Sequence, residues 1–257
     1  MRIKAETMQP SDVLAALMLL SRIPVFRNPS VNAGRGAGAA WAFPLAGFVL
    51  GFGAALAGWL ALCLGWPPAL AAVVILGAQA MLTGAMHEDG LADCCDGFWG
   101  GWTRAARLRI MKDSRIGTYG MLGLGLVTLF RWAALVTILE TGAIWAPVIA
   151  AAVVSRVPMV ALMAGMRNAR GGGLSHNVGR AASGAALIAA LIGLIALVLA
   201  GGPVIAPLAL VVAVTVVLAV LAQAKIGGQT GDVLGASQQL AEAVLLASFA
   251  AAVTPGL

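Results

Sequence analysis

His87-Glu88-Asp89-Gly90-Leu91-Ala92-Asp93-Cys94-Cys95-Asp96-Gly97, continuing as FWGGWTRAARLRIMKDSR to Arg115, is the one stretch where this chain departs strongly from apolar sequence. Five of the chain's ten Asp and Glu sit in it: Glu88, Asp89, Asp93, Asp96 and Asp113. Wound as a helix, it would carry Asp89, Asp93 and Asp96 at i, i+4 and i+7, on one face. Carboxylates that close repel one another and hold protons more tightly unless a cation lies between them. A bound hard metal is the economical explanation, and oxygen-only ligands select Mg²⁺ or Mn²⁺ over zinc. Glu88, Asp89, Asp93, Asp96 and Asp113 are the candidate ligands. Arg104, Arg107, Arg109, Lys112 and Arg115 follow at once. Carboxylate-held metal beside clustered cations is what phosphoryl transfer to or from a nucleotide or pyrophosphate needs.

Outward from this stretch the chain is apolar. Of 257 residues 61% are hydrophobic and only 10% charged, with a mean hydropathy of +0.96. A soluble domain averages about 25% charged residues, so this is an integral membrane protein. Its 33 glycines suit close helix–helix approach in lipid. Uncharged or nearly uncharged runs long enough to cross a bilayer lie at 41–64, 69–86, 117–139, 143–164, 182–200, 203–224 and 236–253. The expected fold is therefore all-α and polytopic: one integral-membrane domain over 1–257, about seven transmembrane helices, and interfacial or cytoplasmic helices besides. The apolar run 13–20 is too short to span and has no small-x-small cleavage site after it. It reads as an interfacial helix with Ser11 or Asp12 at its cap.

Charge sorts by side. Of 16 Lys and Arg, all but Arg131 and Arg156 fall before the first span or in the segments 87–116, 165–181 and 225–235, at one end of the bundle. The positive-inside rule places that end in the cytoplasm, so these three segments can share one site. It also accounts for the net charge of +6, and nucleic acid is not an expected partner. The three cysteines have no CxxC or Cys/His spacing and read as small apolar side chains.

Four further constellations could carry chemistry. Lys112-Asp113-Ser114-Arg115 could complete a metal shell and hold phosphate oxygens, or form a basic membrane-surface segment. Gly227-Gly228-Gln229-Thr230-Gly231-Asp232 can turn backbone N–H groups toward a ligand, with Asp232 adding a carboxylate. Gly171-Gly172-Gly173-Leu174-Ser175-His176-Asn177 offers a loop histidine, a residue type that is bland more often than catalytic. Arg156 lies inside a span, where a charge is functional by default. Arg131 reads as structural, paired with Glu140. The expected proton-transfer residues are Asp96, Asp113 and His87. The expected substrate-binding residues are Lys112, Arg115, Arg156, Asn177, Gly228, Gln229 and Asp232.

HEDGLADCCDGFWGG, RIMKDSRIGTYG and GGQTGD, in that order, resemble the cobalamin synthase family, the membrane-embedded adenosylcobinamide-GDP ribazoletransferases. LSRIPV, FPLAG, the Ser155-Arg156 pair and GGGLSHNV extend the resemblance over nearly the whole chain. Cys94-Cys95 depart from the Thr and small residue frequent there, but lie between the acids. The resemblance implies that the 3′-hydroxyl of α-ribazole, or of its 5′-phosphate, attacks the activated phosphate of adenosylcobinamide-GDP and releases GMP. It implies Mg²⁺ as cofactor and the bacterial inner membrane, with its lipid, as the setting; a homo-oligomer is compatible with it. The acidic pattern is also distantly similar to the CDP-alcohol phosphotransferases. A divalent-cation transporter is the alternative outside enzymes, although transporters usually hold their carboxylates at mid-membrane.

Overall fold

In a bilayer greasy side chains gain nothing by leaving the lipid, so small and polar residues mark the inside of a bundle. That inversion orders this protein. The structure, a computed structural model, describes residues 8–24 and 35–254. The helices are α1 (Ser11–Leu20), α2 (Phe43–Cys63, entered through a 3-10 turn at Gly36–Ala42), α3 (Pro68–Thr83), α4 (Met86–Gly100), α5 (Arg104–Ile110) and α6 (Thr118–Glu140). They continue as α7 (Trp145–Val154), α8 (Val157–Gly165), α9 (Leu174–Val178), α10 (Ser183–Leu199), α11 (Ile205–Ile226) and α12 (Gly231–Val253). Of the long spans α11 has the highest mean hydropathy, 2.9, and is mostly exposed, whereas α12 has 1.3 and is more than half buried. α12 is the trunk of the bundle and packs against α4, α6, α7, α8 and α11.

Among the described residues, five helical segments are long and apolar enough to cross a membrane, and α3 with α4 makes a sixth if counted as one span bent by 90°. The seven apolar runs of the sequence correspond to α2, α3, α6, α7–α8, α10, α11 and α12. The count falls below seven because α3 is short and α10 reaches only 17 residues. The acidic stretch is helical as far as Gly100, in α4.

Local chemistry explains the two breaks. Gly84 (φ 67°) and Ala85 (φ 57°) both take left-handed conformations, which ends α3 and turns the chain into α4. The segment after α1 braces this bend: the Arg22 N–H donates to the Leu82 carbonyl at 2.7 Å, and its side chain fills the space beside Gly84. Between α7 and α8, Pro158 has no N–H to continue the ladder, and Ser155 and Arg156 occupy the gap. Gly47 lets α2 lie against the α7 backbone at Ala152. At its own end, α1 is fastened by Asp12, which accepts from Arg35 Nε at 2.6 Å and Trp41 Nε1 at 2.8 Å.

The three polar segments meet at one end of the bundle. Arg104 donates from Nε to the Ile226 carbonyl at 2.7 Å and from Nη2 to the Ala169 carbonyl at 2.9 Å. Arg107 reaches the Lys225 carbonyl at 3.1 Å. Two members of the basic run thus cap the carboxyl end of α11. Residues 167–169 and 229 exchange backbone bonds, Ala169 N–H to Gln229 at 2.8 Å and Gln229 N–H to Arg167 at 2.9 Å.

Candidate active site

Close approach of two backbones builds the site. A Cβ at Gly90 would stand 2.8 Å from the Asp232 carbonyl oxygen, and one at Gly235 would stand 3.2 Å from the Cα of His87. Without those side chains α4 lies against the first turns of α12. Asp89 and Asp93, one turn apart on α4, then share a surface with Asp232. Asp93 has Asp232, Asp89 and Asp96 as like charges around it, and Arg170 as the opposing one. Arg170 Nη2 lies 2.8 Å from Asp232 Oδ2. Thr230 donates from its hydroxyl to the same oxygen of Asp232 at 3.2 Å, and accepts the Val233 N–H to cap α12. Arg170 Nε and Nη2 are both buried and make no hydrogen bond among the described residues, so Nη2 meets Asp232 as an ion pair only.

Deeper in the bundle lies a separate polar knot. Glu242 of α12, fully buried, sits 2.9 Å from Arg131 Nη2 and 3.6 Å from Arg156 Nη1. Gln79 donates to Glu242 at 2.6 Å and Gln238 donates to its other oxygen. Arg131 reaches Gln239 at 2.5 Å and Gln79 at 2.7 Å. Gln239 in turn donates to Glu88 at 2.9 Å, and Arg131 stands 3.8 Å from Glu88. Two arginines against two glutamates leave the knot electrically balanced, which is what burial among helices requires.

The sequence model of the family described as cobalamin-5-phosphate synthase matches residues 12–250. The adenosylcobinamide-GDP ribazoletransferase of Bradyrhizobium diazoefficiens is 40% identical over 243 residues, covering 94% of each chain. That of Brucella ovis is 41% identical over 242 residues, 89% of this chain and 92% of its own. The chain belongs to the cobalamin-5-phosphate synthase family. No solved structure matches it.

For this member of the synthase family, the structure divides the acids differently from the sequence reading. Asp89 and Asp93 stay together, and Asp232, expected only as a substrate contact, joins them. Glu88, expected as a ligand, turns into the buried knot. Asp96 accepts the backbone N–H groups of Gly117 at 2.6 Å and Gly120 at 2.8 Å, capping α6. Asp113, expected as ligand and base, is exposed and bonded to Arg115 at 2.9 Å within its own loop; Lys112 is exposed too. The bond to Arg115 holds the Asp113 carboxyl below its ordinary value. Arg156 is bound to Ser155, the Ala152 carbonyl and Glu242 instead of opening toward the acids. Arg131 pairs with Glu242 and not with Glu140, which is exposed.

The glycine-rich loops of the synthase are bound to each other. Gly228 packs on the Arg167 carbonyl, where a side chain has no room. Gln229 is buried and accepts from Ser175 at 2.9 Å, and Ser175 accepts from Asn168 at 3.1 Å. Asn177 is exposed at the end of α9. His87 is buried, its Nε2 has no hydrogen-bond partner among the described residues, and it lines an apolar cleft with Phe43, Met86, Met159, Met163 and Leu234.

The acid surface suits a hard divalent cation by charge, since three carboxylates face one guanidinium. Among the described residues no three His, Cys, Asp or Glu side chains already stand at ligand spacing. Magnesium is usually held by only one or two carboxylates when substrate phosphates complete its shell, a number that Asp89 and Asp232 would meet. The sequence reading assigned no role to Arg170 and did not connect Gln79 with Glu242. A lone glutamine within the apolar run 69–86 was the available signal for the knot.

Proposed function

We propose that this chain joins adenosylcobinamide-GDP to α-ribazole, or to α-ribazole 5′-phosphate, forming adenosylcobalamin or its phosphate and releasing GMP. The names of its relatives and the family match over residues 12–250 support this reading. Neither favours a lipid CDP-alcohol enzyme or a cation transporter. The ribazole 3′-hydroxyl displaces GMP from the phosphate that carries the corrinoid. One P–O bond forms, the bond to the GMP phosphate breaks, and the hydroxyl proton passes to a carboxylate.

The observation that carries the mechanism is the surface where Asp89, Asp93 and Asp232 face Arg170. Mg²⁺ held by Asp89 and Asp232 would offset the charge gathering on the leaving GMP. Arg170 keeps Asp232 in place, and its unsatisfied Nε–H is a donor for a non-bridging phosphate oxygen. With Asp96 engaged as a cap and Asp113 outside the site, Asp93 is the carboxylate left to take the hydroxyl proton. Asp96 is a positioning residue that fixes α6 against α4. The membrane is the bacterial inner membrane and the acid surface opens to the cytoplasm, a placement supported by the clustering of Arg104, Arg107, Arg167, Arg170 and Lys225 at that end.

The test is GMP release by the purified, detergent-solubilised protein. Adenosylcobinamide-GDP with ribazole and Mg²⁺ should yield GMP and a cobalamin, and omitting any one should stop it. Consumption of a CDP-alcohol donor, with adenosylcobinamide-GDP left intact, would overturn the reading.

A further inference from the structure

The cleft beneath α9 lies apart from the acid surface but opens onto the same helix end. Its walls come from Leu19 and Leu20 of α1, Phe43 of α2, Met159 and Met163 of α8, and Leu234 of α12, and one side is open. Methionine walls adapt to flat, polarizable rings. His87 is in the lining and is buried, and its Nε2 has no hydrogen-bond partner among the described residues. Ser175, also in the lining, already donates to Gln229. Gly231 lines the cleft as well, and the next residue is Asp232.

Resting on the reaction proposed above, we infer that this cleft receives the base of α-ribazole, with the single imine nitrogen of the dimethylbenzimidazole accepting a hydrogen bond from His87 Nε2. The match is one of counting. The N-ribosylated benzimidazole base presents apolar ring edges, one acceptor and no donor, and the cleft presents apolar walls and an imidazole nitrogen without a partner among the described residues. Guanine, the other base in the reaction, carries several donors and acceptors that these walls would leave unpaired, a costly burial. A lipid acyl chain fills apolar space but gives His87 nothing to bind. The position of Gly231 leads the ribose toward Asp232 and so toward the acids. His87 then acts by binding the acceptor and not by moving its proton.

Equilibrium binding of free α-ribazole to the purified wild-type protein, without donor or metal, tests this directly. The α-ribosides of benzimidazole and adenine are measured beside it. Loss of two methyl groups should weaken binding about tenfold. The adenine riboside, with its buried amino group unpaired, should weaken it about a hundredfold. Met163→Trp, filling the cleft, should raise the KM for ribazole at least about tenfold and leave the KM for adenosylcobinamide-GDP unchanged. His87→Leu should raise the ribazole KM about tenfold with kcat little changed. A fall in kcat alone would mark His87 as a proton carrier and overturn the assignment. Equal affinity for all three ribosides would also overturn it, as would a co-purifying lipid that ribazole does not displace. If either variant fails to fold, the riboside series on the wild type decides. If no GMP is released yet the riboside order holds, the reaction is misread and the cleft assignment stands.

Discussion

Asp96 reaches from α4 to the start of α6 and accepts the N–H groups of Gly117 and Gly120, at 2.6 and 2.8 Å. The carboxylate that completes the i, i+4, i+7 series is thus a helix cap borrowed from a neighbouring helix, and it holds the acid helix against α6. A Cβ on Gly120 would overlap Asp96 Oδ2. Asp96→Asn, which has one acceptor oxygen for two donors, should lower stability by about 1 kcal/mol. Gly120→Ala should lower it further. Thermal unfolding in detergent reads both, and an Asn variant as stable as wild type would show that the cap contributes nothing.

Asp93 and Asp113 should separate in activity. Asp93→Asn should cut GMP release by about a hundredfold or more at saturating Mg²⁺. Asp113→Asn, a change at an exposed loop pair with Arg115, should keep turnover within about threefold of wild type. Parallel kcat measurements decide the matter, and equal losses would return Asp113 to the site.

Arg170 meets Asp232 as an ion pair through Nη2, and neither Nη2 nor Nε makes a hydrogen bond among the described residues, which leaves donors for a phosphate. Arg170→Lys keeps the charge but not the fork. Its KM for adenosylcobinamide-GDP should rise about tenfold or more while ribazole binding is kept. An unchanged donor KM would remove the phosphate role.

Glu242 balances Arg131 and Arg156 where little water reaches. Glu242→Gln leaves that positive charge in excess and should destabilise the fold by about 3–5 kcal/mol. Pairing it with Arg131→Met should recover part of the loss. A double variant no more stable than the single one would argue that the knot is not organised by charge.

Asp12 gives a pH signature. Burial pushes its carboxyl up, but the bonds from Arg35, Trp41 and the Gln9 N–H outweigh burial and hold it below the ordinary carboxylate value. A carboxyl with a lowered folded-state value stabilises fully above its unfolded pKa of about 4, and that contribution is lost as pH falls through the folded value. Wild-type protein should therefore lose stability below about pH 4 more steeply than Asp12→Asn. Parallel acid limbs in the two would rule out the clamp as a source.

The spans were legible because lipid imposes length and hydropathy on them, and each of the seven apolar runs met a helix. Ser155-Arg156 lay visibly within an otherwise apolar run, with Pro158 behind it. Sequence spacing could not show that α4 turns its acids in three directions. Glu88 points to α12, Asp89 and Asp93 to Arg170 and Asp232, and Asp96 to α6; those directions depend on which helices pack on each side. Arg104 and Arg107 read in the sequence only as members of a basic run, because their charge is visible there and the open carbonyls of α11 that they bind are not. Asp232 was underweighted for the converse reason: its partners are distant in the chain and meet it only because Gly90 leaves room.

The polar knot also sets an order of assembly. Glu88 leaves the ribosome first, Arg131 and Arg156 follow, and Glu242 arrives only with the last helix. Until then two guanidinium groups in the nascent chain share a single acid, an imbalance that lipid penalises. A chain broken off before residue 231 would carry that imbalance permanently.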